Sequence, residues 1–190
     1  MTTLAAALAV TAAAAGTLWR LQGDEPETPS PPPSFIGEAR EGCKPGAAGA
    51  FLEAHPPPSP AHAATCHALA GDAEAARQAL ADLDDGERRE AAGVVFGLIH
   101  PIADAGDEEA AGVGMELVLE LWPENYQARY HAGLFAYGRG RDAEARAHLE
   151  RFVAEYRNDD GFRQRALRAL AALDAITRGE TTARPALSAH

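Results

Sequence analysis

Large apolar residues recur three positions apart in three sets: Leu80 and Leu83, Met115 and Val118, Leu149 and Phe152. Such spacing places each set on one face of a helix, because residues three and four apart lie above one another. Four positions before each set stands an alanine, Ala76, Ala111 and Ala145, where a methyl side chain lets two antiparallel helices approach closely. Five positions before each alanine stands a glycine. Gly71, Gly106 and Gly140 are separated by 35 and 34 residues, and a fixed period of this size marks stacked supersecondary units. Each glycine is expected to end a helix in the left-handed conformation, with Asp72, Asp107 or Asp142 capping the next.

The elements follow from these signals. Ser59 before Pro60 predicts a helix to about Ala70, and a second runs from about Ala73 to Leu83. Asp85 and Gly86 open a third, Glu87 to Asp104, in which Pro101 removes the bond to the Gly97 carbonyl and predicts a kink. Helices over Asp107–Leu121, Asn125–Tyr137 and Arg141–Tyr156 complete three pairs. A last helix aligns Phe162, Ala166, Leu170, Leu173 and Ile176, leaving Arg163, Arg165 and Arg168 as its expected solvated side. The fold class is therefore all-α, built from antiparallel helix-turn-helix units.

Over residues 57–157 the elbow glycines, the alanines, the apolar ladder and Pro123 resemble the tetratricopeptide repeat. The third unit, "YHAGLFAYGRGRDAEARAHL", matches best, with Ala132 and Gly133 at the helix crossing; the second matches through Val95, Leu98, Ile102, Ala111 and Val118. In the first unit Pro60, His67 and Asp84 depart from the pattern, and Arg129 replaces the family's common tryptophan. The resemblance implies an α-solenoid of about three units with a C-terminal capping helix, whose first helices line a concave surface. It implies that Thr65 and Leu69, then Phe96, His100 and Asp104, then Gln127, Tyr130, Leu134 and Tyr137 face that surface. The groove expected for a protein or peptide partner is thus Phe96, His100, Asp104, Gln127, Tyr130, Leu134 and Tyr137.

Domain organisation is read from the flanks. Residues 1–21 carry no charge between Met1 and Arg20 and would span roughly 28 Å as a helix, close to the hydrocarbon thickness of about 30 Å. Trp19 and Arg20 suit an interface, so a single-pass membrane anchor is expected, with a cleaved signal peptide as the rival. Residues 22–56 form a Pro/Gly-rich linker, an extended spacer in which "AAGAFLEA" (47–54) is expected to dock on the domain as a helical turn or two. Residues 57–178 are the repeat domain and 179–190 a flexible tail. The anchor-plus-spacer arrangement leans toward a domain on the outer, periplasmic or extracellular, side.

A net charge of −11 excludes a general nucleic-acid binder, since phosphate affinity needs many basic groups. Charge is uneven: Asp82 to Glu124 holds 12 acidic and 2 basic residues, Arg129 to Arg178 10 basic and 7 acidic. This polarity could orient a partner or a second copy, leaving homo-oligomerisation open; a solvated helix face is the plainer reading.

The chemistry of enzymes is missing from the motifs. There is no phosphate loop, nucleophile elbow, zinc-protease helix or dinucleotide fingerprint, so no catalytic residue and no cofactor is expected. No metal site is expected either: "HAATCH" (62–67) offers ligands at helical spacing but no fourth. His100 and Asp104 are one helical turn apart near the groove. Cys43 and Cys66 are a candidate disulfide that would pin the linker to the first repeat, against two buried or free thiols. The function expected is a membrane-tethered, non-catalytic adaptor for protein–protein interaction. The alternative is an accessory or assembly factor of a cell-envelope or cytochrome maturation complex, and a small enzyme or metal carrier stands third.

Overall fold

The computed structural model describes residues 35–187, all within one unit, Pro33–His190. The expected anchor at 1–21 lies outside the described residues, as does the linker's proline-rich start. Among the described residues there are nine helices and no strand: α1 Phe35–Gly42, α2 Ala48–Ala54, α3 Pro60–Leu69, α4 Ala73–Gln78, α5 Asp85–Asp104, α6 Glu108–Leu121, α7 Tyr126–Gly138, α8 Asp142–Glu155 and α9 Gly161–Thr177. No helix among them is long and apolar enough to cross a membrane.

The period in the sequence is a period in backbone geometry. Gly71, Gly106 and Gly140 have φ of +77°, +90° and +74°, which side-chain-bearing residues rarely adopt. At each, the glycine N–H bonds back to the carbonyl of Ala68, Ala103 or Tyr137, and the next residue's N–H to that of His67, Ile102 or Ala136. This paired arrangement satisfies carbonyls that a helix end would leave open. Gly179 closes α9 in the same way, through Ile176 and Ala175.

Helix starts are set by side chains that accept the first free N–H groups. Asp72 takes the Ala75 N–H at 3.0 Å, Asp107 the Ala110 N–H at 3.1 Å and Asn125 the Ala128 N–H at 2.9 Å. The third elbow differs from expectation. Arg141 holds the cap position of α8 without a side-chain bond, and Asp142 instead binds Arg184 at 2.5 Å. Asp84 is a cap too. It accepts from Glu87 N while Glu87 returns a bond from Asp84 N, a reciprocal box that starts α5 two residues earlier than predicted. The preceding α4 is correspondingly short, ending at Gln78 where a helix to Leu83 was expected. α5 runs through Pro101 to Asp104.

α3–α4, α5–α6, α6–α7, α7–α8 and α8–α9 pack as successive pairs, α3 also touches α5 and α6, and α4 touches α6. Ala76, Ala111 and Ala145 are fully buried at the crossings, with Leu80, Met115, Val118, Leu149 and Phe152 behind them. α6 approaches its neighbours still more closely at two glycines: a Cβ on Gly112 would lie 2.0 Å from the Phe135 ring, and one on Gly114 2.0 Å from Ile99 Cδ1. One core fills α3 to α6 around Val95, Ile99 and Met115; another joins α7, α8 and α9 around Tyr130, Leu149, Phe152 and Leu173.

The segments assigned to linker and tail carry structure of their own. α1 and α2 fall within the expected spacer and pack on α3, with Ala39, Ala48 and Ala70 buried around a Cys43–Cys66 disulfide whose Cα atoms are 5.1 Å apart. Alanines and Phe51, not the prolines, decide this stretch. At the other end, residues 184–187 bond to α7 and α9.

Candidate functional site

The predicted groove residues sit on two helices. Phe96, His100 and Asp104 occupy successive turns of α5; Gln127, Tyr130, Leu134 and Tyr137 lie along α7. The structure places five of them in two recesses, with Phe96 and Asp104 in neither. His100, Gln127 and Tyr130 line a pocket of about 70 Å³ with Tyr126, His131, Phe152, Tyr156 and Phe162. Leu134 and Tyr137 line a cleft of about 360 Å³ with Glu108, Arg165, Arg184 and Leu187. Three of the expected groove residues are not open to solvent: Tyr130, Leu134 and Tyr137 are 1%, 3% and 4% exposed. The cause is coverage. Phe162 of α9 meets Tyr130 edge-on at 5.5 Å, and the Arg184 guanidinium lies over the Tyr137 ring, 5.5 Å from its centroid.

Between the recesses runs a chain of charged and polar groups. The His100 ring stacks on Phe96 at 4.5 Å and meets the His131 ring edge-on at 5.3 Å. Asp104 Oδ1 is 3.5 Å from His100 Nε2 and 3.4 Å from His131 Nε2. The other nitrogen of His131, Nδ1, is 3.0 Å from Glu108 Oε2, while Glu108 Oε1 accepts from Arg165 Nη1 at 2.9 Å. Arg165 also pairs with the Tyr130 hydroxyl and donates through Nη2 to the Leu187 carbonyl at 3.3 Å. Arg165 is therefore not on a solvated side of α9: it is 5% exposed, and its Nε is a buried polar atom without a hydrogen-bond partner.

Burial sets the protonation of this region. It pushes the His100 imidazole below its ordinary value, against the opposing pull of Asp104. It pushes the Tyr130 and Tyr137 hydroxyls up, keeping both as donors. Arg129 is 3% exposed and ties α7 to α8 through Glu155 at 2.6 Å and to the Pro123 carbonyl.

Residues 184–187 of the same chain form one wall of the cleft and cover Tyr137. Tyr137 donates its hydroxyl to the Pro185 carbonyl at 3.2 Å, Arg184 Nη1 donates to the Tyr137 carbonyl at 3.2 Å, and Arg184 Nη2 pairs with Asp142. Elsewhere the acidic middle and basic end meet within the chain, as Arg139–Glu109 at 3.1 Å and Arg141–Glu116.

Sequence reading paired His100 with Asp104 but missed His131, Glu108 and Arg165, and missed residues 184–187. No local signal marked His131, because its partners lie on α5 and at the start of α6. The tail carried none, because an Arg-Pro segment without periodicity has no partner until α7 and α8 are placed. No protein-family model matches the chain, nor does any curated protein or solved structure.

Proposed function

We propose that the chain is a membrane-tethered, non-catalytic adaptor whose tetratricopeptide-like repeats hold an extended peptide of a partner protein in the cleft beside Tyr137. In this reading α3–α4, α5–α6 and α7–α8 are the three units and α9 caps them. Positive-φ glycines at a period of 35 and 34 residues, and a buried alanine five positions after each, support it.

The observation that carries the reading is the seating of residues 184–187. Side-chain donors take main-chain carbonyls, Tyr137 that of Pro185 and Arg165 that of Leu187, while Arg184 fills a cation-binding corner made by Asp142, the Tyr137 ring and the Tyr137 carbonyl. Recognition of backbone plus one charged side chain is how extended peptides are commonly held. Arg165 Nε is a further donor in the same cleft wall. A partner segment carrying Arg-Pro ahead of an apolar residue would compete with the tail.

Placement outside the membrane's inner face is part of the proposal, with residues 1–21 as the anchor. The Cys43–Cys66 bond supports it, because structural disulfides persist in oxidising compartments. The test is a chain ending at Glu180, titrated with a fluorescent peptide of residues 181–190. Saturable binding to the shortened chain, weakened at least about tenfold by the full chain's own tail, is expected. No binding to a shortened chain that remains folded by circular dichroism would overturn the reading.

A further inference from the structure

We propose that His100, Asp104 and His131 form a binding site for one divalent transition-metal ion, zinc foremost, which would join α5 to α7. The three donor atoms lie within 4.8 Å of one another, two on α5 and one on α7. Asp104 Oδ1 stands 3.4 Å and 3.5 Å from the two Nε2 atoms. A tetrahedral ion with bonds of about 2.0–2.1 Å needs ligand atoms about 3.3–3.4 Å apart, so two edges are already at that length. An octahedral ion at the same bond length needs about 3.0 Å, which these edges exceed. Drawing in the remaining histidine–histidine edge falls to His100, whose side chain is 20% exposed against 1% for His131.

The bonding of His131 gives the second argument. Its Nδ1 faces Glu108 Oε2 at 3.0 Å, a carboxylate already held by Arg165, so the proton belongs on Nδ1. Nε2 then faces Asp104 Oδ1, and His100 Nε2 faces the same oxygen. Three possible ligand atoms converging from two helices are an arrangement that one cation would bridge. A ligating histidine whose other nitrogen is held by a carboxylate is the usual outer arrangement of a metal site, because it fixes the ring and its tautomer. Phe96 and Tyr130 pack on the His100 and His131 rings at 4.5 Å and 4.8 Å, while the Asp104 side chain stays 40% exposed, which leaves the cluster open to an entering ion. Two imidazoles and one carboxylate suit zinc and leave one coordination position beyond the protein's three.

The alternative cation is a proton, which would make one imidazole an imidazolium bridging carboxylates. Titrating Zn²⁺ into the full chain after chelator treatment, by calorimetry, distinguishes the two. One ion per chain is expected, and the same site loaded with Co²⁺ should show the intense visible absorption of tetrahedral coordination. Asp104→Asn, at a part-exposed side chain, and His100→Ala should each weaken Zn²⁺ binding by more than about 100-fold, beyond the 10- to 100-fold of an outer partner. Circular dichroism confirms that both variants fold. No stoichiometric uptake by the wild-type chain, or equal uptake by both variants, would overturn the proposal and leave the proton in its place.

Discussion

Glu108, the first residue of α6, accepts a hydrogen bond at 2.9 Å from Arg165, which follows it by 57 residues and sits in α9. The pair ties α9 to the start of α6. Both side chains are almost enclosed, 7% and 13% exposed, so neither charge is free to return to water while the fold holds. Removing one partner from such a pair costs about 3–5 kcal/mol, because the other is left buried and unmatched. Arg165→Met should lower unfolding free energy in urea by roughly that amount, and Arg165→Met with Glu108→Gln by less. An additive double variant would mean the two charges do not depend on one another.

A second prediction concerns the Cys43–Cys66 link. It closes a loop spanning a sequence separation of 23 residues, and the chain-entropy model gives such a loop about 3 kcal/mol of stabilisation. The double replacement of both cysteines by alanine should therefore shift the urea midpoint down and make residues 44–59 the first site of proteolysis. An unchanged midpoint would show that α1 and α2 hold to α3 by packing alone.

Two glycine substitutions should act in opposite directions. Gly112→Ala drives a methyl into the Phe135 ring, where overpacking costs about 1–3 kcal/mol against a helix-propensity gain of up to about 1 kcal/mol, so a net loss is expected. The same change in a Phe135→Leu background should cost less. Gly97→Ala, in mid-helix with nothing within 4 Å of its Cβ position, should stabilise by about 0.5–1 kcal/mol. Thermal midpoints of the three proteins decide the matter, and equal shifts would contradict the packing described.

Stability should also fall in mild acid. Burial holds the His148 imidazole below its ordinary 6.5, with Arg129 and Arg141 adding to the effect and Glu144 opposing it. The unfolded chain keeps the ordinary value, so below it the unfolded state takes up a proton that the folded state refuses. The contribution is present in full above pH 6.5 and is lost as pH falls from there toward the depressed folded value. His62 is shifted the same way by burial. Urea midpoints should drop between about pH 7.5 and about pH 5.5, and His148→Gln should flatten part of that slope. A midpoint that rises over this range would contradict the burial of both rings.

The helices and their elbows were legible because their causes are local. Gly71 needs only its own φ, and Ala76 and Leu80 need only their spacing along one helix. Asp84 was misjudged because the repeat pattern asks for an apolar residue there, whereas the backbone uses it to start α5. Arg165 was placed in solvent because an arginine beside an apolar stripe normally is. The buried face of α9 in fact includes Arg165, Ala166, Ala169 and Leu173, and the guanidinium is tolerated only because Glu108 waits on another helix. His131 lay beyond reach for the same reason, its partners being on α5 and at the start of α6. The expected groove was drawn along the right helices but too open, since nothing in the local pattern of residues 184–187 announces that they fold back onto Tyr137.

The sulfur–sulfur bond also decides how a mechanical load would travel. Tension entering at Phe35 would pass along α1 to Cys43 and cross directly to Cys66 in α3, leaving the 44–65 stretch slack. A tug from the N-terminal side would thus arrive one helix deep in the array, where the scaffold is braced by α5 and α6, and the first hairpin would bear strain without peeling from its end.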